Sequence, residues 1–373
     1  MEVAQPTIAR RTNMAGSNLS GLRNFVRGFE EERFSLGLDV HKRSCHVALR
    51  REDGAVITWV SPPLPEALAE LLGKLELRVG LLVYEAGPTG FSLARHLQEA
   101  GYPVLVAAPS RIPRPVTAGA KTDRLDCVKL AEFAARGMLR GIAVPSQAEE
   151  CRRSLERRRH QVVDGIRRVR NRIKGLLLYL GVSEPAGLRL WSRKAMEQLH
   201  ELELDKGARW TLDSLMLELD SLKGNLDVVN RQLAELARDD EHRQVIRCLQ
   251  SVPGVGPVVA ATFCFELFRP ERFQRAEEVA GYLGLAPLVR QSGEGRGRGR
   301  IGKVGQGRLK SLLVEAAWTW RAKDPWARQF YGKLLARTGI AQKAIVALAR
   351  KLAIILWRLC IEKRPCYAQA AAA

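Results

Sequence analysis

From residue 34 onward the chain alternates short apolar runs with amphipathic stretches. FSLGLDV, SCHVALRR and AVITWV read as strands, the last two joined across the turn-forming EDG. PEALAELLGKLEL opens with Pro65 and places apolar residues at helical spacing, which predicts a helix. VGLLVYE (strand), TGFSLARHLQEAG (helix), YPVLVAAP (strand) and TDRLDCVKLAEFAARG (helix) follow. The element order over 34–145 is therefore β-β-β-α-β-α-β-α. Residues 1–33 are mixed polar without a strong period and read as a flexible N-terminal arm.

The pattern changes at residue 146, where Ser146 and Glu149 form a capping-box pair. The helix that follows carries Val162, Ile166, Val169, Ile173, Leu176 and Leu180 on one face and a dense set of arginines on the others. A second helix repeats Leu212, Leu215, Leu219, Leu222, Leu226, Val229, Leu233 and Leu236 at the 3,4 spacing of a coiled-coil seam. An intramolecular helical hairpin and a dimer seam both satisfy that repeat. The expected domains are the arm 1–33, an α/β domain 34–145, a coiled-coil helical region 146–246, a mostly helical unit 247–366 and a tail 367–373. In the last unit, CLQSVPGVGPVVAATFCFEL reads as a helix-hairpin-helix. Its turn glycines Gly254 and Gly256 would bare backbone amides at a helix N-terminus, which suits phosphate, while an ordinary packing turn fits as well. Ile345, Leu348, Leu352, Ile355 and Leu359 predict a closing core helix.

Composition narrows the function. The chain has 373 residues and 46% hydrophobic content, enough for two or three domains with a true core. A net charge of +20 predicts a polyanionic partner. The seven cysteines form no CxxC pair and no zinc spacing, so they are expected to be reduced and structural. No apolar stretch approaches the ~20 residues of a membrane span, and no signal segment opens the chain. An intracellular protein without a membrane partner is expected.

Four acids stand out against this basic background. Asp39 and Glu85 end two strands; Asp123 and Asp126 lie three apart on one helix and share a face. The β-β-β-α-β-α-β-α order is that of the ribonuclease-H-like fold, in which the first and fourth strands are neighbours. That arrangement would set Asp39 beside Glu85 and bring the helical pair to the same place. Carboxylates so gathered suit hard divalent cations that serve phosphoryl transfer. Taken singly, each acid is an ordinary turn, cap or solvated residue. Lys121 and Arg124 flank the pair and would offset phosphate charge or simply face solvent. Candidate nucleic-acid contacts on the basic helix are Arg152, Arg153, Arg157, Arg167, Arg168, Arg170 and Lys174. Within QSGEGRGRGRIGK, Ser292 precedes Arg296, Arg298, Arg300 and Lys303. By chemistry alone Ser292 reads as a turn serine, because a hydroxyl is a weak nucleophile unless activated.

GLDVHK, YEAGPTG, KTDRLDCVKLA, VPGVGPVVAA, GLAPLVRQSG and GKVGQGRLKSLLVEAA occur in an order that resembles the DEDD-type insertion-sequence transposases, from about residue 34 to about 340. These are bridge-RNA-guided recombinases related to Piv-type DNA invertases. The resemblance implies an RNase H-like (RuvC-like) N-terminal domain, a coiled-coil insertion and a mostly helical C-terminal transposase domain. It implies that Asp39, Glu85, Asp123 and Asp126 hold magnesium and that Ser292 is the catalytic serine, which raises Ser292 well above its reading as a turn residue. Ser311 is a weaker rival. The implied partners are a structured guide RNA, target and donor double-stranded DNA, and further copies of the chain as a dimer assembling to a tetramer. The implied location is the prokaryotic cytoplasm, at the nucleoid when active. Two other functions use subsets of these features: a Holliday-junction-type endonuclease with metal-activated water, and a non-enzymatic nucleic-acid-binding protein.

Overall fold

The computed structural model describes residues 17–113, 123–288, 300–301 and 305–366; the side chains at 17, 18, 123, 124, 240, 288, 300 and 301 lie outside it as well. The residues fall into two compact units, 1–147 and 148–373. The first boundary lies near the expected end of the α/β domain. The expected division at 246–247 does not appear as a third unit, because the second half of the long hairpin shares its core with the helices that follow.

The first unit is built on a mixed five-stranded sheet. Its strands are β1 (Phe34–Val40), β2 (Cys45–Arg50), β3 (Val56–Ser61), β4 (Val79–Glu85) and β5 (Val104–Ala107), in spatial order β3-β2-β1-β4-β5. β1 pairs antiparallel with β2 and parallel with β4. The first and fourth strands are thus neighbours, as the element order predicts. Helix α1 (Ser17–Val26) precedes the sheet, while α2 (Pro65–Lys74), α3 (Ser92–Glu99) and α4 (Asp123–Ala135) follow its strands.

Alternation assigns the two faces. Phe34, Leu36 and Leu38 point into a large core with Val47, Leu49, Leu68, Leu72 and Leu97. Gly37, between them, faces α4. A Cβ at Gly37 would lie 2.0 Å from the Cys127 carbonyl oxygen and 2.5 Å from the Ala131 nitrogen. Ala48, opposite Gly37 on β2, packs with Cys127 and Ala131; Val83, opposite it on β4, packs with Leu130 and Ala134.

The expectation of a flexible arm over 1–33 is corrected for its second half. Leu22 and Val26 of α1 are buried in the sheet's core, and Leu19, Phe25 and Phe29 pack against it. Arg51 stacks on the Phe29 ring at 3.7 Å and donates to the Phe25 carbonyl. Leu19, Leu22, Val26 and Phe29 recur at helical spacing, but the run is short and set in a largely polar segment.

The second unit opens with α5 (Gln147–Tyr179), which returns through α6 (Arg193–Glu201) to α7 (Lys206–Leu236). Val162, Ile166, Val169, Ile173 and Leu177 of α5 pack on Leu212, Met216 and Leu219 of α7. Gly165 permits close approach, since a Cβ there would touch Leu222 at 3.3 Å. The leucine repeat therefore closes a hairpin within the chain. Val229 and Leu233, further along α7, join a second core built from α8 (Asp240–Gln250), α9 (Pro257–Leu267), α10 (Ala276–Tyr282), α11 (Gly307–Lys323), α12 (Pro325–Thr338) and α13 (Ala341–Glu362). Ile345, Leu348, Leu352 and Leu359 of α13 are buried there, with Ile355 packed against the cluster. Strands β6 (Pro287–Leu288) and β7 (Arg300–Ile301) pair antiparallel between α10 and α11.

All seven cysteines are free, and burial pushes the Cys45 and Cys264 thiols up to about 12, so they act as small apolar groups. Cys151 alone is exposed among them. No described helix is long and apolar enough to cross a membrane.

Gly37→Ala is expected to lower unfolding stability by about 3 kcal/mol, the upper range for overpacking, because the obstacle is helix backbone rather than a movable side chain. Urea denaturation checks this; an unchanged midpoint would mean that α4 does not sit on β1 as described.

Candidate active site

The topology brings Asp39 and Glu85 to the ends of adjacent parallel strands, one residue past the registered pair Leu38 and Tyr84. Asp39 lies two residues beyond Gly37, and Glu85 two beyond Val83, so both share the face that α4 covers. Asp126 is in the first turn of α4, half-buried, 4.0 Å from Lys129. Asp123 starts that helix, but its side chain, that of Arg124 and all of Lys121 lie outside the described residues. Among the described residues no three His, Cys, Asp or Glu side chains converge closely enough to hold a metal ion. The donor set consists of carboxylate oxygens, which fits a hard divalent cation such as magnesium.

Two histidines that the sequence reading did not place in the site stand beside Asp39. His46 is directly opposite it across β1 and β2, and His41 Nε2 meets Asp39 Oδ2 at 3.2 Å. Their signal was the hairpin: a short VHKRSC connection folds His46 back onto the residue before it. Directly opposite residues in an antiparallel pair share a face.

In the second unit, Ser292, Arg296, Arg298 and Lys303 lie outside the described residues; Arg300 is described only in its backbone, within β7. The β6–β7 ladder, Leu288 opposite Arg300, brings together the two ends of the segment that contains Ser292. Ser311 is on α11 and donates to the Gly307 carbonyl at 3.1 Å.

The basic helix divides by face. Arg153 was read as a nucleic-acid contact, and the structure corrects this: it is buried, its Nε donating to Glu266 Oε2 at 3.0 Å. Arg157 donates to Glu266 Oε1 at 3.2 Å while remaining partly exposed. Arg152 pairs with Glu241 and Lys174 with Glu184. Arg170 lies over the Trp191 ring. Arg167 and Arg168 are exposed, Arg167 pairing with Asp164 of its own helix at 2.9 Å.

Gly254 also has a packing explanation. Its φ is +91°, and a Cβ there would lie 2.7 Å from the Trp320 nitrogen, so α11 backbone occupies that side. Gly256, in contrast, is exposed at the N-cap of α9 and keeps the geometry suited to an anion.

Sequence reasoning missed Glu266. It sits in the apolar run FCFEL and is 1% exposed. Burial alone would raise its pKa, but the Arg153, Arg157 and Arg308 guanidiniums together hold the carboxyl below the usual range. Arg308 Nη2 donates to Glu266 Oε1 at 2.9 Å. Glu156, also buried, shares a hydrogen bond with Glu266; burial and that neighbouring charge push it up to about 7. The lone carboxylate amid apolar residues was the available signal, since a buried charge demands a partner.

Two family models match. Residues 36–180 match a DEDD transposase model of IS110, and residues 246–332 match the model described as transposase IS116/IS110/IS902 family. The chain is 29% identical over 395 residues to the putative transposase y4qE of Sinorhizobium fredii, covering 97% of each. It is 32% identical over 327 residues to the putative transposase y4rJ of the same organism, covering 78% of this chain and 80% of the relative. It is 25% identical over 330 residues to the transposase for insertion sequence element IS1533 of Leptospira borgpetersenii, covering 86% and 94%.

Glu156 makes stability depend on pH. Between the ordinary value of 4.5 and about 7 the folded protein keeps a proton that the unfolded chain has released, so stability falls as pH rises through that window. Glu156→Gln keeps a neutral donor and removes the titration. It is expected to raise stability at pH 8 by about 1–3 kcal/mol and to change it little at pH 4.5. Urea titrations at the two pH values check this; an equal effect at both would show that Glu156 does not titrate there.

Proposed function

The chain belongs to the IS116/IS110/IS902 family of transposases, and from that premise we propose that it is a site-specific DNA recombinase guided by a structured RNA. In this reading Ser292 is the nucleophile and Asp39, Glu85, Asp123 and Asp126 hold magnesium. The observation that carries it is the placement of Asp39 and Glu85 on neighbouring strand ends under the helix that bears the other two acids. The strand order β3-β2-β1-β4-β5 supports an RNase H-like, RuvC-like domain for the first unit. The long α5–α7 hairpin supports the coiled-coil insertion, and the α8–α9 pair supports the helix-hairpin-helix.

When bound, magnesium supplies positive charge against the phosphoryl oxygens. Ser292 Oγ attacks a DNA phosphorus and gives its proton to solvent. The P–O bond to one strand breaks, and the displaced sugar oxygen is protonated. The phosphoserine ester preserves the linkage, so a sugar hydroxyl of another strand attacks the same phosphorus, releases the serine oxygen and completes the exchange. Arg296, Arg298, Arg300 and Lys303 offset the charge that builds in this step. Guide RNA pairs with target and donor DNA, while the protein makes contacts to the nucleic-acid backbone that carry no sequence information. Arg167, Arg168 and the Gly256 amide are suited to such contacts. The working form is a dimer that assembles to a tetramer, in the prokaryotic cytoplasm and at the nucleoid when active.

The four acids without the serine describe a second reading, a junction-cutting endonuclease with water as nucleophile. A labelled duplex bearing the element's end junction, incubated with protein and RNA transcribed from the flanking sequence, separates the two. Ser292→Ala is expected to reduce detergent-resistant protein–DNA adducts at least ~10³-fold, as loss of a nucleophile does, with DNA affinity unchanged. Asp39→Asn is expected to abolish cleavage. Nicking by Ser292→Ala at the parental rate, without joining, would favour the endonuclease.

A further inference from the structure

Glu266 is connected in two directions. Its carboxylate accepts from Arg308, the second residue of α11, and from Arg153 and Arg157 of α5. Its backbone carbonyl accepts from the Tyr282 hydroxyl at 3.1 Å, at the end of α10. One residue therefore contacts both Tyr282, which leads into β6, and Arg308, which follows β7, the two feet on either side in sequence of the stretch that contains Ser292.

Neighbouring contacts tighten the same feet. The Gln306 amide donates to the Tyr282 carbonyl at 3.2 Å. Gly305 lies against Gly284, where an added Cβ would be 2.4 Å from the Gly284 nitrogen. These contacts join the feet to each other; Glu266 joins them to α5. The groups around its carboxylate are Arg153, Glu156 and Arg157 of α5 and Arg308 of α11; Arg159, beside Glu156 and Glu315, completes the surround and donates to Asn230 of α7. An apolar cluster would stabilise this junction as well or better, since desolvating charges offsets much of their attraction. A directional, multiply bonded carboxylate instead sets one geometry.

We propose that Glu266 is a positioning residue for strand transfer, clamping both feet of the Ser292-bearing segment onto α5. The inference rests on Ser292 as the nucleophile.

The test uses the full chain with the same RNA and labelled duplex, and follows the rate of adduct formation at saturating DNA alongside DNA affinity. Glu266→Gln retains the side-chain volume but loses the charge that gathers the arginines. It is expected to slow adduct formation at least ~10-fold, the scale of a misplaced reacting group, with affinity within about twofold. Arg308→Ala is expected to slow it comparably. The double variant is expected to be no slower than the slower single variant, because both break one link. A general loss of structure would lower affinity too, and independent roles would multiply. Parental rates in Glu266→Gln, or multiplying losses, would overturn the proposal. Should Glu266→Gln fail to fold by circular dichroism, Arg308→Ala and Tyr282→Phe decide alone: slowed adduct formation at unchanged affinity supports it, and parental rates in both overturn it. Ser292→Ala run in parallel separates the two readings. Adducts that persist without the serine hydroxyl would remove the nucleophile assignment, and the inference with it. Adducts lost there but formed at the parental rate by Glu266→Gln would remove the inference only.

Discussion

Helix α4 lies on β1 because Gly37 presents no side chain to it. The Cys127 carbonyl and the Ala131 amide occupy the space that a Cβ would fill, and Ala48 and Val83 flank the contact with small or flat surfaces. Helix and sheet can approach this closely only where the strand is bare. The consequence lies two residues further along each strand. Asp39 and Glu85 emerge on the same face, at the edge of the helix whose first turn carries Asp126. The placement of the acids thus depends on a glycine that has no chemistry of its own.

The second unit solves a different problem. Its helices carry many like charges, and some must be buried where the α5–α7 hairpin meets the helices after it. Arg153 and Glu266 are both almost fully buried, and three guanidiniums converge on one carboxylate. Glu156 joins them in its protonated form below about pH 7, so that two adjacent carboxyl groups carry one negative charge. The result is a junction held by directional bonds rather than by apolar area alone. It also bonds Tyr282, which precedes β6, and Arg308, which follows β7.

Much of this was legible in the sequence. Strands of the first unit alternate cleanly, and a strand order with β1 beside β4 follows from the element order. The leucine repeat announced a long helix, although its spacing alone did not distinguish a hairpin from a dimer; Gly165 against Leu222 is a contact that only the folded chain shows. The docking of α1 was missed although Leu19, Leu22, Val26 and Phe29 recur at helical spacing, because that run is short and its surroundings are polar. Arg153 was misread for a physical reason: arginine surrounds that helix on several faces, so residue type cannot say which face is covered. Gly254 and Gly256 look alike in VPGVGP, yet one is pressed against α11 and the other faces solvent. Pairing across elements, rather than local pattern, makes that distinction.

On the proposed function, Asp39 and Glu85 share one carboxylate site for a hard divalent cation. Anomalous diffraction from crystals of the full chain soaked in manganese tests it most directly, since manganese takes the same oxygen ligands as magnesium and scatters strongly. An anomalous peak is expected between the ends of β1 and β4, within ~2.0–2.6 Å of carboxylate oxygens of Asp39 and Glu85, and its loss in Asp39→Asn. A fully occupied peak elsewhere in the molecule, with none at these strand ends, would contradict it.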